Sequence, residues 1–307
     1  MRNILLEMVL YKYSTIIGTF VFDESGILYQ GDDKEIKKKF GDLAEPPMDK
    51  LKQLLRFLKK NVYLEQFRVQ NLLKTKQQIR ESVTEDMLVI QAIGTIQELD
   101  KAFNILVKRA REWYALFLPE YEHKISSNEE FVKSILTKNR KEILKELGVD
   151  EDTTMGKNLS SEDVKPLLEL AKEANNILKL RESLVNYNEE LMKRAAPNIT
   201  AVAGALIGAK LISQAGSLKR LSEFPASTIQ LLGAEKALFR HMKTGAKSPK
   251  HGILLQHQLV LGSPPNKRGR SARVLADKIS IAAKVDYFKG DFIGDQLNEE
   301  IKKKLGS

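Results

Sequence analysis

Eleven basic side chains crowd into residues 236–284: Lys236, Arg240, Lys243, Lys247, Lys250, Lys267, Arg268, Arg270, Arg273, Lys278 and Lys284. The only acid among them is Asp277, and His241, His251 and His257 are interleaved. The chemistry open to such a cluster is the capture of anions, because its summed field attracts polyanions. Scattered lysines are ordinarily just a solvated face. Here the density, the flanking Gly and Pro, and the balance of charge elsewhere favour an anionic partner. Residues 1–196 hold 32 Lys+Arg and 32 Asp+Glu, whereas residues 197–307 hold 18 and 8, so the last third carries the whole net charge of +10. Composition is equally compatible with RNA, DNA or an acidic protein.

Within the window the residues divide by job. Lys236, Arg240, Lys243 and Lys247 are spaced by 4, 3 and 4 and are predicted to line one face of a continuing helix. A phosphate backbone following that face would meet several point charges and a guanidinium fork. Lys250 and His251 fall in a loop, free to reach a groove or a looped-out base. Lys267, Arg268, Arg270 and Arg273 surround the start of the last helix, where unpaired backbone N–H groups also favour anions. Few aromatics lie nearby, which argues against single-strand binding by a stacking sheet. Recognition of a structured RNA, or of an RNA–protein composite, by shape fits better.

Other chemistry has little support. The sequence contains no P-loop, no dinucleotide-binding glycine fingerprint and no His-Glu-x-x-His. With no cysteine there is no disulfide framework, thiolate metal site or Cys nucleophile, which favours a reducing compartment. The four histidines lack metal spacing, and acid pairs read as solvated helix surface, so neither a metal nor a catalytic constellation is expected. No basic–apolar leader opens the sequence, and the longest apolar run, residues 199–209, falls short of the ~20 residues a membrane span needs. The expectation is a soluble intracellular protein.

The elements that must position the basic residues follow from periodicity. At 307 residues and 42% hydrophobic, the chain is long enough for one to three domains, each with its own core. Residues 1–83 read as a small α/β domain, with strands at 4–10 and 15–22, a turn at Asp23-Glu24-Ser25-Gly26, a returning strand at 27–29 and a helix over 48–73. Residues 84–196 read as two rods. Ala92, Ile96, Leu99, Phe103, Leu106, Ala110, Trp113 and Phe117 alternate by 4 and 3, the seam of a coiled-coil helix. Leu170, Ile177, Leu184 and Leu191 repeat every seven beside Ala171, Leu178, Val185 and Met192, with Arg181 and Asn188 interrupting a third column. Each rod spans roughly 45–50 Å at about 1.5 Å per residue, and residues 121–159 form the tip. One hairpin leaves apolar columns on its flanks, so a homodimer is expected through Ile96, Leu99, Phe103 and Leu106 with Leu170, Ile177, Leu184 and Leu191. Residues 197–307 read as all-α. They comprise a small-residue helix over 201–209, a helix through Ile229 and Leu232, a bend at Gly233, a helix over 234–242, loops at 244–252 and 262–266, and a last helix over 268–284. The fold class is therefore mainly α, with a small N-terminal α/β domain, a long antiparallel coiled-coil hairpin and an all-α C-terminal domain.

Several stretches resemble a known family. Gly204-Ala-Leu-Ile-Gly-Ala-Lys210, Ala215-Gly-Ser-Leu218, Phe224-Pro-Ala-Ser-Thr-Ile-Gln230, Gly233-Ala-Glu-Lys-Ala-Leu-Phe-Arg240 and Pro249-Lys-His-Gly252 look like the Nop domain. Ala272-Arg273, Ala276-Asp-Lys278 and Val285-Asp-Tyr-Phe288 continue it. Upstream, Arg111-Glu-Trp-Tyr114 and Pro119-Glu120 resemble the end of the first coiled-coil helix in box C/D core proteins. The chain as a whole is similar to the archaeal core scaffold of box C/D small ribonucleoproteins. A long Lys/Glu-rich tail, common in eukaryotic members, is not seen.

The resemblance implies a non-catalytic scaffold. Its residues 1–83 would hold fibrillarin, the methyltransferase that carries S-adenosylmethionine, and the chain itself would bind no cofactor. Residues 84–196 would dimerise. Residues 197–307 would recognise a kink-turn of the guide RNA together with the ribosomal-type protein bound there. Lys236, Arg240, His241, Lys243, Lys247, Lys250 and His251 would face RNA, while Gln230 and Glu235 would touch the protein half. The location implied is the cytoplasm of an archaeal cell, or the nucleolus in a eukaryote. A related splicing-factor-like binder of ribonucleoproteins, or an RNA-modifying enzyme with its own site, are the alternatives.

Overall fold

A computed structural model describes residues 9–306, with Asn61 by its backbone only. The chain divides into two units, Met1–Val83 and Thr84–Ser307.

In the first unit, strands β1 (Tyr11–Thr15), β2 (Gly18–Phe22) and β3 (Ile27–Gly31) form an antiparallel sheet in the order β1-β2-β3. The strand expected over 15–22 is thus split. Ile16 and Ile17 make the hairpin turn despite their β-branched side chains, and the Thr15 hydroxyl accepts from Ile17 N (3.3 Å) and donates to Gly18 O (2.9 Å). Most of the strand expected over 4–10 lies outside the described residues. Asp23 closes the next turn by accepting from Ser25 N (2.7 Å) and Gly26 N (3.0 Å). Helices α1 (Asp33–Phe40), α2 (Met48–Leu58) and α3 (Asn61–Glu81) follow. The single helix expected over 48–73 breaks at Lys60, which is extended (ψ 142°). The break lets Tyr63 meet Phe20 edge-on at 5.7 Å, and the core gathers Phe20, Phe22, Leu54 and Leu58.

The second unit is helical throughout. Two long helices, α4 (Glu85–Phe117) and α8 (Ser161–Ala195), pack side by side. Between them run α5 (Pro119–Lys124), α6 (Asn128–Thr137) and α7 (Arg140–Leu147). The Ser160 hydroxyl accepts from Asp163 N and starts α8. After α8 come α9 (Pro197–Ala203), α10 (Ala205–Ala215), α11 (Leu218–Glu223), α12 (Ala226–Leu231) and α13 (Glu235–Thr244). A 3-10 turn (Ile253–Gln256), α14 (Gln258–Leu261), α15 (Arg268–Tyr287) and α16 (Gly294–Leu305) complete the unit.

The rods differ from the expected seam in rotation. The buried stripe of α4 runs Phe103, Val107, Ala110, Tyr114 and Phe117, so Val107 and Tyr114 take the places expected of Leu106 and Trp113. Trp113 is 38% exposed, and Leu99 and Leu106 are half-buried. The tip helices cause the turn. Tyr114 packs its ring against Phe131 (5.5 Å), Phe117 (5.7 Å) and Tyr121 (6.1 Å), which draws the adjoining face inward. On α8, Leu191 is buried, while Leu170, Ile177 and Leu184 are half-buried. Arg181 pairs with Asp100 across the hairpin.

No break in packing separates the rods from the helices after Pro197. Val89, Ala92, Ile93 and Ile96 of α4 and Leu191 and Met192 of α8 share one core with Ile199, Leu211, Ile212, Leu275 and Ile279. The helix expected over 201–209 is interrupted at Gly204, whose positive φ (78°) ends α9 and begins α10. Gly208 plays the small-residue part beside the buried Ala203 and Ala209, since a Cβ on Gly208 would lie 2.7 Å from Met192 and 2.8 Å from Ile199. The α8–α9 junction is fastened from α15. The buried Asp286 carboxylate accepts from Asn198 N (3.0 Å), Asn198 Nδ2 (2.8 Å) and Ile199 N (2.9 Å). Burial pushes its carboxyl above the usual range against the pull of these donors.

Asn188 is fully buried between the core residues of α8, and neither its amide nitrogen nor its oxygen has a partner among the described residues. An unsatisfied buried amide costs about 1–3 kcal/mol. Asn188→Leu should therefore stabilise the folded chain by about that amount and raise Tm by several degrees, read by thermal unfolding. An unchanged or lowered Tm would show that the amide is satisfied in solution.

Candidate nucleic-acid interface

The cationic residues stand on three consecutive pieces of the second unit: α13, the loop at 245–251, and the start of α15. Helix α13 buries no residue, which leaves every cation on it available to solvent. Lys236, Arg240 and Lys243 are exposed, and the Lys243 ammonium lies 4.7 Å from the centre of the exposed Phe239 ring. The expected fourth member of that face, Lys247, is not on the helix. Gly245 adopts the left-handed conformation (φ 65°) and ends α13, so Lys247 belongs to the loop.

The loop is held at both ends by hydrogen bonds. His241 of α13 binds Ala246 O through Nδ1 at one end. At the other, Gly252 N donates to Gln230 O (3.0 Å) and Ile253 N to Leu232 O (2.8 Å). A Cβ at Gly252 would fall 1.9 Å from Leu232 O, so only glycine permits the approach. Gln230 then ties the loop to α15, its Nε2 donating to Lys250 O (2.7 Å) with a longer contact to Gly269 O (3.4 Å). The stem of Lys250 lies against Gly269, within 3.3–3.7 Å of where a Cβ would stand. This contact joins the two cationic clusters into one surface.

Several expected site residues have internal duties instead. Gln230 is 9% exposed, with its amide nitrogen engaged by the loop. The Glu235 carboxylate accepts from Gly233 N (2.7 Å) and Gln214 Nε2 (3.2 Å) and fixes the bend before α13. His241 and His251 are half-buried. Arg268 donates to Ser263 O (3.1 Å) and Leu261 O (3.3 Å) and shapes the loop before α15. Lys278, counted in the basic window, is 5% exposed and paired with Glu300 and, at 3.7 Å, with Asp277. His257 is pushed below its ordinary value by burial, and its Nδ1 accepts from Leu259 N (3.2 Å) as the cap of α14.

What remains outward on these three pieces is Lys236, Arg240, Lys243, Lys247, Lys250, Lys267, Arg270 and Arg273, all exposed, while Lys284 is exposed further along α15. Among the described residues none of the eight forms a salt bridge, while Lys278 and Lys304 beside them do. Unneutralised charge of one sign, spread over a helix, a braced loop and a second helix start, suits a phosphate backbone. Sequence reasoning missed that the surface extends to α16. Arg270 donates to Lys304 O (3.3 Å), which brings Lys302, Lys303 and Lys304 to the same border. The sequence signal for α16 was its acidic first turn and basic last turn after Gly290.

A family model described as "Nop: snoRNA binding domain, fibrillarin" matches residues 95–307. A NOP5 family protein of Methanocaldococcus jannaschii is 42% identical over 235 residues, covering 72% of this chain and 56% of that protein. Nucleolar protein 58 of Neosartorya fischeri is 38% identical over 236 residues (72% and 40%), and nucleolar protein 56 of Caenorhabditis elegans 34% over 245 residues (71% and 50%). The chain thus spans about half the length of the curated relatives it matches. Among solved structures, a crystal structure of a fibrillarin/Nop5p complex is 25% identical, with 95% of this chain and 98% of the other covered at a TM-score of 0.46. Since the matched region covers well over half of the chain, including most of α4, all of α8 and the whole cationic surface beyond them, the chain belongs to the Nop family.

Proposed function

We propose that this chain is the scaffold subunit of a box C/D RNA-guided 2'-O-methylation particle. The observation that carries the reading is the surface of eight exposed, unpaired Lys and Arg on α13, the 245–251 loop and the start of α15, within the region that matches the Nop family. A phosphate backbone laid across it gains several charge-assisted contacts at once. The exposed Phe239 and Met242 on the same helix offer apolar area beside the cations. That mixture suits a composite of kink-turn RNA and the ribosomal-type protein already bound to it better than it suits bare duplex.

The same reading assigns the remaining parts. Residues 1–83 hold fibrillarin, which brings S-adenosylmethionine and the methyl-transfer chemistry, and this chain contributes placement alone. The rods pair with a second copy. Ile105 and Leu116 of α4 are each 65% exposed, Trp113 38%, and Leu180 and Tyr187 of α8 51% and 47%. The tip helices leave these residues uncovered, and a second hairpin laid on them would bury that surface. No helix among the described residues is long and apolar enough to cross a membrane. In an archaeal cell the particle would work in the cytoplasm.

Replacing Arg240, Lys243 and Lys250 together by Ala should weaken binding to the protein-bound kink-turn and lower the log–log salt slope by roughly 0.7–0.9 for each phosphate no longer neutralised. Filter binding across a salt series reads this, and an unaltered slope would remove the surface from RNA binding. In a methylation assay, guide and target RNA with the kink-turn protein should give product only when both this chain and fibrillarin are present. Product formed by this chain without fibrillarin would make it an enzyme. Ile105→Glu with Leu116→Glu should give a monomer in sedimentation with helicity retained, since both side chains are exposed in the single chain. A dimer that survives both substitutions would put the interface elsewhere.

A further inference from the structure

A cleft of about 410 Å³ opens where α14, the loop after it, the start of α15 and the end of α16 meet. Its lining combines two cations, Lys267 and Arg270, with three apolar side chains, Leu259, Pro264 and Leu305, and one free amide, Gln258. Among the described residues no carboxylate lines it. The floor is fixed by a hydroxyl pair: Ser263 Oγ donates to Leu259 O (2.6 Å) and lies 2.8 Å from Ser271 Oγ. Arg268, bound to Ser263 O and Leu261 O, braces the rim. The cleft adjoins the cationic surface, because Lys250 of the 245–251 loop rests against Gly269, one residue from Arg270.

A backbone phosphate needs only the cations. The apolar walls and the amide exceed that need, and together they match the parts of a nucleotide. A flat base can lie against aliphatic side chains, an edge can meet a carboxamide, and a phosphate can meet a lysine and an arginine. We propose that the cleft receives one unpaired nucleotide of the bound RNA, its base against Leu259, Pro264 and Leu305, its edge toward Gln258 and its phosphate on Lys267 and Arg270. The proposal rests on the RNA-binding reading above and adds to it a preference for RNA with an unstacked base next to the gripped helix. The mouth is open and both cations are exposed, so a free mononucleotide gains little there. A nucleotide tethered to RNA already held on α13 enters at high effective concentration.

The test uses the full chain with two RNA probes of equal length. One is fully paired, and the other carries a single unpaired 2-aminopurine beside the stem. Gln258 is exposed, so Gln258→Trp narrows the cleft without altering charge or core. Leu305→Ala, at the end of α16, removes one wall independently. Each variant should weaken the unpaired probe by about tenfold, the scale of one base's packing against a side chain, and leave the paired probe unchanged. The fluorescence change of 2-aminopurine on binding should shrink in both. Arg240→Ala with Lys243→Ala should weaken both probes alike.

If both cleft variants bind the unpaired probe as tightly as the parent while the α13 variant still loses affinity, the cleft is not a nucleotide site and the RNA reading stands. Equal weakening of both probes by the cleft variants would show no preference for an unpaired base and overturn the proposal. Micromolar binding of free adenosine monophosphate, displaced by neither RNA, would make it a site for a free nucleotide and overturn it equally. If no variant affects either probe, the RNA reading fails along with it.

Discussion

The approach of Gly252 to the Leu232 carbonyl is the constraint on which the cationic surface depends. At that separation no side chain fits, and the two backbone hydrogen bonds beside it hold the end of the 245–251 loop against α12. The Gln230 amide extends the hold to Lys250 O, with its contact to Gly269 O beyond. Without this seam, Lys247 and Lys250 would ride on a free loop, and α13 and the start of α15 would present two separate patches. With it, the repulsion among eight like charges is borne by a braced scaffold. The structure keeps such charges close in advance of any ligand, so little ordering is left for the moment of binding.

The same physical logic decides what could be read in the sequence. The charge window was legible because like charges without acids must stay solvated wherever the backbone takes them. The rods were legible because a 3.5-residue repeat has no other economical use. The rotation of the α4 stripe was not, since Val107 and Tyr114 displace Leu106 and Trp113 only through aromatic contacts with Tyr121 and Phe131 on separate helices. Local signals also carried two readings at once. Gly204 sat inside an expected helix over 201–209 and is a helix break, while the spacing that put Lys247 on α13 ignored what Gly245 permits. Gln230 and Glu235 carry polar chemistry in sequence, and the fold gives each an internal hydrogen bond that the sequence does not announce.

Charge is also arranged along the second unit in a way that bears on assembly. Residues 84–196, the rods and tip, hold 17 Lys+Arg against 21 Asp+Glu, while residues 197–307 hold 18 against 8. The rods thus repel a polyanion mildly as the far end attracts it. At physiological salt a field decays over about 8 Å, whereas a helix the length of α4 extends roughly 50 Å. RNA arriving at the cationic end therefore feels almost nothing of the tip, and the rod offers it no path to slide along.

That separation makes rigidity of the α8–α9 junction matter more than the strength of any single phosphate contact. If the junction flexed, the distance between the gripped RNA and the distal end of the rods would be undefined, and affinity at one end would place nothing at the other. Asp286 addresses this by accepting three hydrogen bonds from Asn198 and Ile199, while Asn198 in turn accepts from Ile293 N (2.7 Å) and so takes in the approach to α16. A carboxylate held in apolar surroundings is costly unless every donor stays in place. The three hydrogen bonds resist bending, since opening of the junction breaks them together.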